Sequence, residues 1–162
     1  MFSVNGFDNN LINDIRLEPK DAVAALLTLG EDSYIMQLRD SKPNIFYPDH
    51  WGCFGGAVEN GESPEEAIKR EIFEELEYNI SYFKEFTRFE FDFTPLGYGK
   101  VKRIYYSVNV NKVEFNNFKL HEGAGIKVFK KNDILTQLKV TPYDSFAVWM
   151  HIKSKLINKI NK

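Results

Sequence analysis

The segment from Ser63 to Tyr78 constrains the fold more than any other, because it combines a helix start with a one-sided apolar stripe. Ser63 can cap the helix, Pro64 suits its first position, and Glu66 can reach back to complete a capping box. Three apolar residues then recur at steps of four on one helix face: Ile68, Ile72 and Leu76. Such a stripe needs an apolar partner surface, and we expect the helix to pack against a sheet.

Most of the remaining elements are predicted to be strands. Apolar or aromatic runs bounded by turn residues predict strands over residues 21–28, 33–38, 51–58, 80–93, 101–110 and 126–129. The first two predict a hairpin, and the fourth and fifth a second antiparallel pair around the turn at residues 95–99. Further helices are predicted to begin near Asn132 and to cover residues 142–160. Antiparallel pairs interrupted by helices indicate the α+β class, with helices packed on a mixed sheet.

Length and composition limit the class of protein further. A chain of 162 residues without repeats or a linker predicts a single domain over residues 1–162. Its apolar runs, such as residues 22–27, are too short to span a bilayer. The net charge of -2 provides no overall attraction to a polynucleotide, so we expect neither a nucleic-acid nor a membrane partner. The first ten residues carry no leader pattern, which predicts a cytoplasmic location.

Two features are predicted to be structural. The lone Cys53 cannot form an internal disulfide and is expected to be a small buried side chain. The last helix carries large apolar residues at helical spacing: Phe146, Trp149, Met150, Leu156, Ile157 and Ile160. The cluster of Phe146, Trp149 and Met150 is predicted to pack in the core. Lys153, Lys155 and Lys159 near its end complement the helix dipole. The sequence leaves open a homodimer through the aromatic residues.

Three glutamates mark the candidate chemistry. Glu71, Glu74 and Glu75 stand at i, i+3 and i+4, so they share one helix face within about one turn. Like charges at this spacing repel, and a divalent cation would relieve the repulsion. Hard oxygen ligands suit Mg²⁺ or Mn²⁺, and Mg²⁺ commonly keeps positions for substrate phosphates. A solvated acidic face has the same spacing, so spacing alone leaves both interpretations open.

The run from Gly56 to Tyr78 resembles the Nudix box, G-x5-E-x7-R-E-U-x-E-E-x-G-U, in which U is an apolar residue. The matching positions are Gly56, Glu62, Arg70, Glu71, Ile72, Glu74 and Glu75, with Tyr78 at the last apolar position. Glu77 stands where the family has Gly, which helps to end the helix, and we expect Asn79 to cap it instead. Residues 51–56 also resemble the W-x-x-P-G-G approach to the box, with Phe54 in place of Pro.

The resemblance implies an α/β/α sandwich and a Mg²⁺- or Mn²⁺-dependent hydrolase of a nucleoside diphosphate linked to another group. By position, Glu71, Glu74 and Glu75 are similar to the family's metal ligands, joined by the backbone carbonyl of Gly55. Glu62 and Arg70 resemble its supporting ion pair, in which the arginine orients the carboxylates. A carboxylate must accept the proton of the attacking water.

The base and the substrate contacts are less constrained. In the family the base comes either from the box or from a downstream loop, and Glu122, beside two glycines, is the downstream candidate. Arg39 and Tyr47 are the predicted substrate contacts. Lys102 and Arg103 are candidate contacts for the substrate phosphates, and Trp51 is a candidate for stacking on a base or sugar. His121 could contact a phosphate or cap the end of a strand.

Three functional alternatives follow from the same resemblance. A small nucleotide is the expected substrate, and Pro95, 17 residues past the box, favours a nucleotide sugar over a non-standard nucleoside triphosphate. A regulatory module that senses a nucleotide without cleaving it would usually lack box carboxylates, which this chain keeps. A carbon-skeleton isomerase on this fold would need a catalytic cysteine, for which Cys53 is the one candidate.

Overall fold

The structure, a computed structural model, describes residues 18–136 and 139–160, excluding the side chains of Leu156 and of residues 158–160. The first ten residues, predicted to carry no leader, lie outside that range. The described strands are β1 (Ala22–Leu29), β2 (Ser33–Leu38), β3 (Trp51–Gly52), β4 (Lys84–Asp92), β5 (Lys100–Val110) and β6 (Gly125–Lys130). The described helices are α1 (Pro64–Leu76), α2 (Lys112–Asn116), α3 (Lys131–Ile134) and α4 (Pro142–Ile160), with a 3-10 helix over Thr94–Leu96.

The strands form one mixed sheet in the order β3-β2-β1-β5-β4, with β6 also paired to β2. β1 runs parallel to β5 along its whole length, with Ala22 opposite Arg103 and Leu29 opposite Val110. The predicted antiparallel pairs β1–β2 and β4–β5 are both present. This mixed sheet flanked by helices confirms the α+β prediction.

β1 and β2 separate soon after their turn, and the chain segment of residues 51–57 lies between them. Thr28 and Tyr34 are registered partners at the turn. Further along, β3 pairs with β2, while Phe54 and Ala57 form isolated bridges to β1. The prediction of a continuous strand over residues 51–58 is therefore wrong beyond β3. Gly55 adopts a φ of 130°, which turns the backbone out of regular strand geometry.

Helix α1 begins as predicted. Ser63 is its N-cap, Pro64 occupies the first turn, and the Ser63–Glu66 capping box is complete. The predicted apolar stripe is fully buried against one face of the sheet: Ile68, Ile72 and Leu76. The predicted cap at Asn79 is wrong, because Glu77 itself adopts the left-handed conformation with a φ of 50°. Its N–H still donates to the Phe73 carbonyl.

Helix α4 covers the opposite face of the sheet, but with a different side from the predicted one. Among the described side chains of this helix, the buried ones are Asp144, Ala147, Val148, His151 and Ile152. The predicted core residues Phe146 and Trp149 are instead exposed, as is Ile157, and the rings of Phe146 and Trp149 stack 5.8 Å apart. Small and polar residues bring the helix close to the sheet, where His151 contacts Tyr34 and Ser107. Within the described part of the chain, no helix has the length and hydropathy needed to cross a membrane.

Candidate active site

Glu75 is the most enclosed of the three predicted carboxylates. It lies in the last turn of α1 and is 4% exposed. Its Oε2 accepts a 2.8 Å hydrogen bond from the Gly55 backbone N–H, and its Oε1 accepts one of 2.9 Å from Gln37 Nε2. Burial raises the pKa of Glu75 to about 8, and the nearby charges of Glu71 and Glu122 act in the same direction. A carboxylate in this setting would be stabilised by a cation.

Arg70 connects the other box carboxylates. Its Nε and Nη2 donate to Glu62 at 2.8 and 2.9 Å, a bidentate pair, and this contact lowers the pKa of Glu62 to about 2. Its Nη1 donates to Glu71 at 2.9 Å and to Glu74 at 3.1 Å. The supporting pair predicted from the box is therefore present as a contact. Glu71 is largely buried, which raises its pKa, whereas Glu74 is exposed.

Two glycines let the backbone approach these carboxylates. A Cβ at position 56 would lie 2.5 Å from Glu71 Oε1, and a Cβ at position 55 would overlap the Val23 carbonyl. β1 donates to this segment through Val23 N–H to Gly56 O and Ala25 N–H to Phe54 O. These two bonds use the carbonyls on either side of Gly55 and do not engage the Gly55 carbonyl, the predicted fourth ligand.

The loop that carries Glu122 is bound to the end of α1. Lys119 N–H donates to the Leu76 carbonyl and His121 N–H to the Glu75 carbonyl, which satisfies two of the free carbonyls at the helix end. The side chain of Glu77 accepts from Lys119 Nζ at 2.7 Å and lies 2.6 Å from His121 Nε2. His121 thus contacts a carboxylate. Its roles at a phosphate or at a strand end stay predictions.

Gln37 in β2 joins this loop to Glu75. Besides its bond to Glu75, Gln37 Nε2 donates to the Glu122 carbonyl at 3.1 Å, and the Gln37 side chain is buried. Gly123, with a φ of 85°, packs directly on Gln37. Gln37 was not predicted as a site residue, because a polar residue in a strand ordinarily faces solvent.

A cleft of about 450 Å³ opens where β1 and β2 separate. It brings together Glu71, Glu75, Glu122, Gly55 and Arg39 among the predicted site residues. Cationic and aromatic side chains share its wall: Lys20, Lys42, Lys102, Arg103, Phe46, Phe91, Phe93 and Tyr143. A larger cavity of about 990 Å³ lies at the opposite end of β1, around the β1–β2 turn, and none of the predicted site residues lines it.

The other predicted contacts are positioned differently. Glu74 and Tyr47 do not line the cleft, and the Tyr47 ring packs instead against Tyr143 at 5.6 Å and His50 at 5.5 Å. Arg39 Nε donates to the Phe46 carbonyl, which orients its side chain along the cleft wall. Trp51 packs against Phe129.

Cys53 is buried as predicted. It is 4% exposed, and burial raises the pKa of its thiol. A reactive cysteine needs an accessible side chain with a lowered pKa, so this environment does not support the isomerase alternative.

The carboxylates are held by protein donors. Over residues 18–136 and 139–160, no three His, Cys, Asp or Glu side chains are grouped closely enough to hold a metal ion as they stand. Arg70 lies between Glu71 and Glu74, and Glu74 is exposed and can reorient. The donor set is made of hard oxygens, and burial raises the pKa values of Glu71 and Glu75, so a bound cation would stabilise their ionised forms. The residues present therefore fit a divalent cation.

Residues 18–149 match the family model described as NUDIX domain, which is well over half of the chain. The chain therefore belongs to the NUDIX family, whose enzymes hydrolyse pyrophosphate bonds in nucleotide-like substrates. The prediction of a Nudix pyrophosphohydrolase is confirmed at this level.

Solved structures share the fold at low sequence identity. The MutT protein from Methanosarcina mazei Go1 matches with a TM-score of 0.67 and 20% identity, covering 85% of this chain and 96% of its own. The E. coli dihydroneopterin triphosphate pyrophosphohydrolase matches with a TM-score of 0.67 and 16% identity, and the match covers 85% of this chain and 97% of that enzyme. The NUDIX domain of Shewanella oneidensis NrtR, solved with ADP ribose, matches with a TM-score of 0.58 and 16% identity. The match covers 91% of this chain and 97% of that domain.

Proposed function

We propose that this chain is a Mg²⁺- or Mn²⁺-dependent enzyme that cleaves the pyrophosphate bond of a nucleoside diphosphate linked to another group, with a nucleotide sugar as the first substrate class. One observation carries the proposal: Glu71, Glu75 and Glu122 line the same cleft as several cations and aromatic rings. The carboxylates would bind a divalent cation, the cationic side chains would bind the phosphates of the substrate, and the aromatic rings would stack on its base. A cleft of about 450 Å³ is within the usual range for small-molecule sites.

The ligands of the cation are proposed from this chain's own atoms. Glu71, Glu74 and Glu75 would hold it, together with the Gly55 carbonyl, and Glu74 would turn away from Arg70 to do so. When bound, a divalent cation neutralises the diphosphate and lowers the pKa of water. Arg70, anchored by Glu62, would keep Glu71 oriented toward the cleft.

The proton acceptor is proposed to be Glu122. Its side chain is exposed at the cleft, and its backbone is fixed by Gln37. Glu71 or another box carboxylate is the alternative base. Lys102, whose side chain has no ion-pair partner among the described residues, would bind a phosphate.

The substrate class has two candidates. The NrtR domain binds ADP ribose, a nucleotide sugar, and this favours the first class by similarity of fold. Pro95 lies in the 3-10 turn between β4 and β5, where the turn itself accounts for it. The several cationic side chains in the cleft favour a nucleoside triphosphate as the second candidate, since more phosphate charge requires more compensation.

A substrate panel tests the proposal. Nucleotide sugars, dinucleotides and nucleoside triphosphates would be incubated with the protein and Mg²⁺, and the products identified by mass spectrometry. We expect cleavage between two phosphates that stops on addition of chelator. Glu122→Gln should slow turnover at least tenfold, with Glu90→Gln, an exposed carboxylate on β4, as the unchanged control. Tight binding of a nucleotide without cleavage would support the sensing module instead.

A further inference from the structure

Arg103 lies in the cleft wall with its position fixed on several sides. Its side chain is 16% exposed. Nη2 donates to Asp144 Oδ1 at 3.1 Å, and Nε lies 2.9 Å from the Tyr105 hydroxyl, which itself donates to Asp144 at 2.8 Å. The guanidinium carbon lies 4.6 Å from the centre of the Tyr143 ring, a cation–π contact. This side chain therefore presents a rigid, planar group to the cleft.

One edge of that guanidinium is unused. The bonds to Tyr105 and Asp144 occupy the edge formed by Nε and Nη2. Among the described residues, none accepts from Nη1, so the Nη1–Nη2 edge retains N–H groups on both nitrogens. An arginine edge of this kind matches a pair of adjacent acceptors.

The two faces of the sheet divide the cleft into two chemical regions. Side chains along β5 alternate, so Lys102 shares a face with Ile104 in the α1-side core, and Arg103 shares a face with Tyr105 in the α4-side core. The carboxylates belong to the α1 side. On the α4 side, Phe91 and Phe93 line the cleft and lie in a row of aromatic rings with Phe89.

Charge balance separates Arg103 from the phosphate-binding cations. Its charge is already compensated by Asp144, which is buried, and an additional phosphate would compete with that pair. A pair of neutral acceptors would not compete with the ion pair between Arg103 and Asp144. The neighbouring aromatic rings favour a planar group that can stack. The surroundings of Arg103 therefore suit a nucleobase better than a phosphate, which differs from the phosphate contact predicted for Arg103 from the sequence.

We propose that Arg103 is a specificity-determining residue that binds the O6 and N7 acceptors of a 6-oxopurine base, guanine or hypoxanthine, in the nucleotide substrate. The inference rests on the proposed function in that it places the base of the same substrate. A 6-oxopurine offers two adjacent acceptors to the free arginine edge, whereas adenine offers N7 and an amino donor that opposes it. The diphosphate then points to the α1 side, where the carboxylates lie.

Binding of nucleoside monophosphates to the wild-type protein gives the first test. GMP, IMP, AMP and 7-deaza-GMP contain no pyrophosphate bond, so calorimetric titration measures recognition without turnover. We expect GMP and IMP to bind about tenfold more tightly than AMP, with 7-deaza-GMP in between because it has lost N7. Equal affinity for GMP and AMP would overturn the proposal, as would the absence of binding by all four.

Arg103→Lys gives the second test, because lysine preserves the charge opposite Asp144 but not the paired donors. We expect the preference for GMP over AMP to fall below about threefold. Arg88→Lys on β4 should retain the full preference, because Arg88 pairs with Ile104 on the opposite face of the sheet and does not line the cleft. A folded Arg103→Lys protein with unchanged preference would overturn the assignment. The substrate panel separates the two proposals: cleavage without base preference removes only this inference, and base preference without cleavage removes only the proposed activity.

Discussion

Gln37 and Glu75 are 38 positions apart in the chain and are joined by a buried 2.9 Å hydrogen bond between Nε2 and Oε1. The same amide nitrogen also donates to the Glu122 carbonyl, so one side chain fixes both a box carboxylate and the candidate base loop. This connection between β2, α1 and the loop after α2 positions the acidic side of the cleft.

The first prediction concerns Gln37→Met, which keeps the length of the side chain but removes the donor. Glu75 and the Glu122 carbonyl would each lose a buried partner, so we expect a loss of about 1–3 kcal/mol in the free energy of unfolding and at least a tenfold lower turnover. Thr28→Val is the matched control, since it removes a buried donor to Asn109 in the same sheet. It should destabilise the protein without changing turnover. Equal turnover losses in the two variants would reduce Gln37 to a structural role.

The second prediction is a fall in stability between pH 6.5 and 8 in chelator. Burial raises the pKa of Glu75 to about 8 from an ordinary 4.5, so between these values the folded protein binds a proton that the unfolded chain has lost. The contribution of Glu75 to stability is therefore full below pH 4.5 and is lost as the pH rises through 8. Burial also lowers the pKa of His151 to about 4, which gives the opposite slope below pH 6.5.

Urea denaturation at pH 6.5 and 8 isolates the effect of Glu75. We expect a loss of about 2 kcal/mol across this interval, which Glu75→Gln should abolish because an amide does not titrate. Millimolar Mg²⁺ should reduce the loss as well, by favouring the ionised form. A Glu75→Gln profile as steep as that of the wild type would rule out Glu75 as the cause.

The third prediction compares two arginines with similar pairings. Arg70 makes a bidentate contact with Glu62 beside the cleft, and Arg88 makes one with Glu85 on exposed β4. Arg70→Lys should weaken Mn²⁺ binding about tenfold, because lysine cannot hold Glu62 and Glu71 together. Arg88→Lys should leave Mn²⁺ affinity unchanged. Calorimetric titration of both variants with Mn²⁺ measures these affinities. An unchanged Mn²⁺ affinity of the Arg70→Lys protein would show that the Arg70–Glu62 pair does not orient the metal ligands.

The fourth prediction uses two glycines with nearly the same backbone conformation. Gly123 has a φ of 85° and Gly97 a φ of 84°, but a Cβ at 123 would lie 2.8 Å from Gln37, whereas a Cβ at 97 would have open space. Both alanine variants should lose about 1 kcal/mol of stability from the positive φ. Gly123→Ala alone should also lower turnover, because it displaces Gln37 and the Glu122 loop. Similar turnover in the two variants would contradict this role.

How far the sequence predicts this molecule depends on the range of each interaction. The start of α1 and its buried stripe follow from residues within one or two turns of each other, and both predictions are confirmed. The end of α1 does not follow, because Glu77 is held in its left-handed conformation beside contacts to Lys119 and His121, more than 40 residues away. Local capping preferences cannot reveal such partners.

The candidate site shows the same difference between local features, which the sequence predicts, and long-range contacts, which it does not. The spacing of the box glutamates places them on one helix face, but it cannot show that Glu74 is exposed while Glu75 is buried. Gln37 and Arg103 acquire their surroundings from β2, β5 and α4, which only the tertiary fold brings together. The buried side of α4 was also mispredicted, since apolar residues occur on both of its sides and periodicity alone does not choose between them.

Turnover of Glu75→Gln tests the central proposal, that the α1 carboxylates support pyrophosphate cleavage. Glu77→Gln is the matched control, because it changes the same chemical group two residues later, at the C-cap of α1, where Glu77 contacts the loop and does not line the cleft. With Mg²⁺ and the best substrate of the panel, we predict at least a hundredfold lower kcat for Glu75→Gln and less than a threefold change for Glu77→Gln. Equal kcat values for Glu75→Gln and the wild type would contradict the proposal.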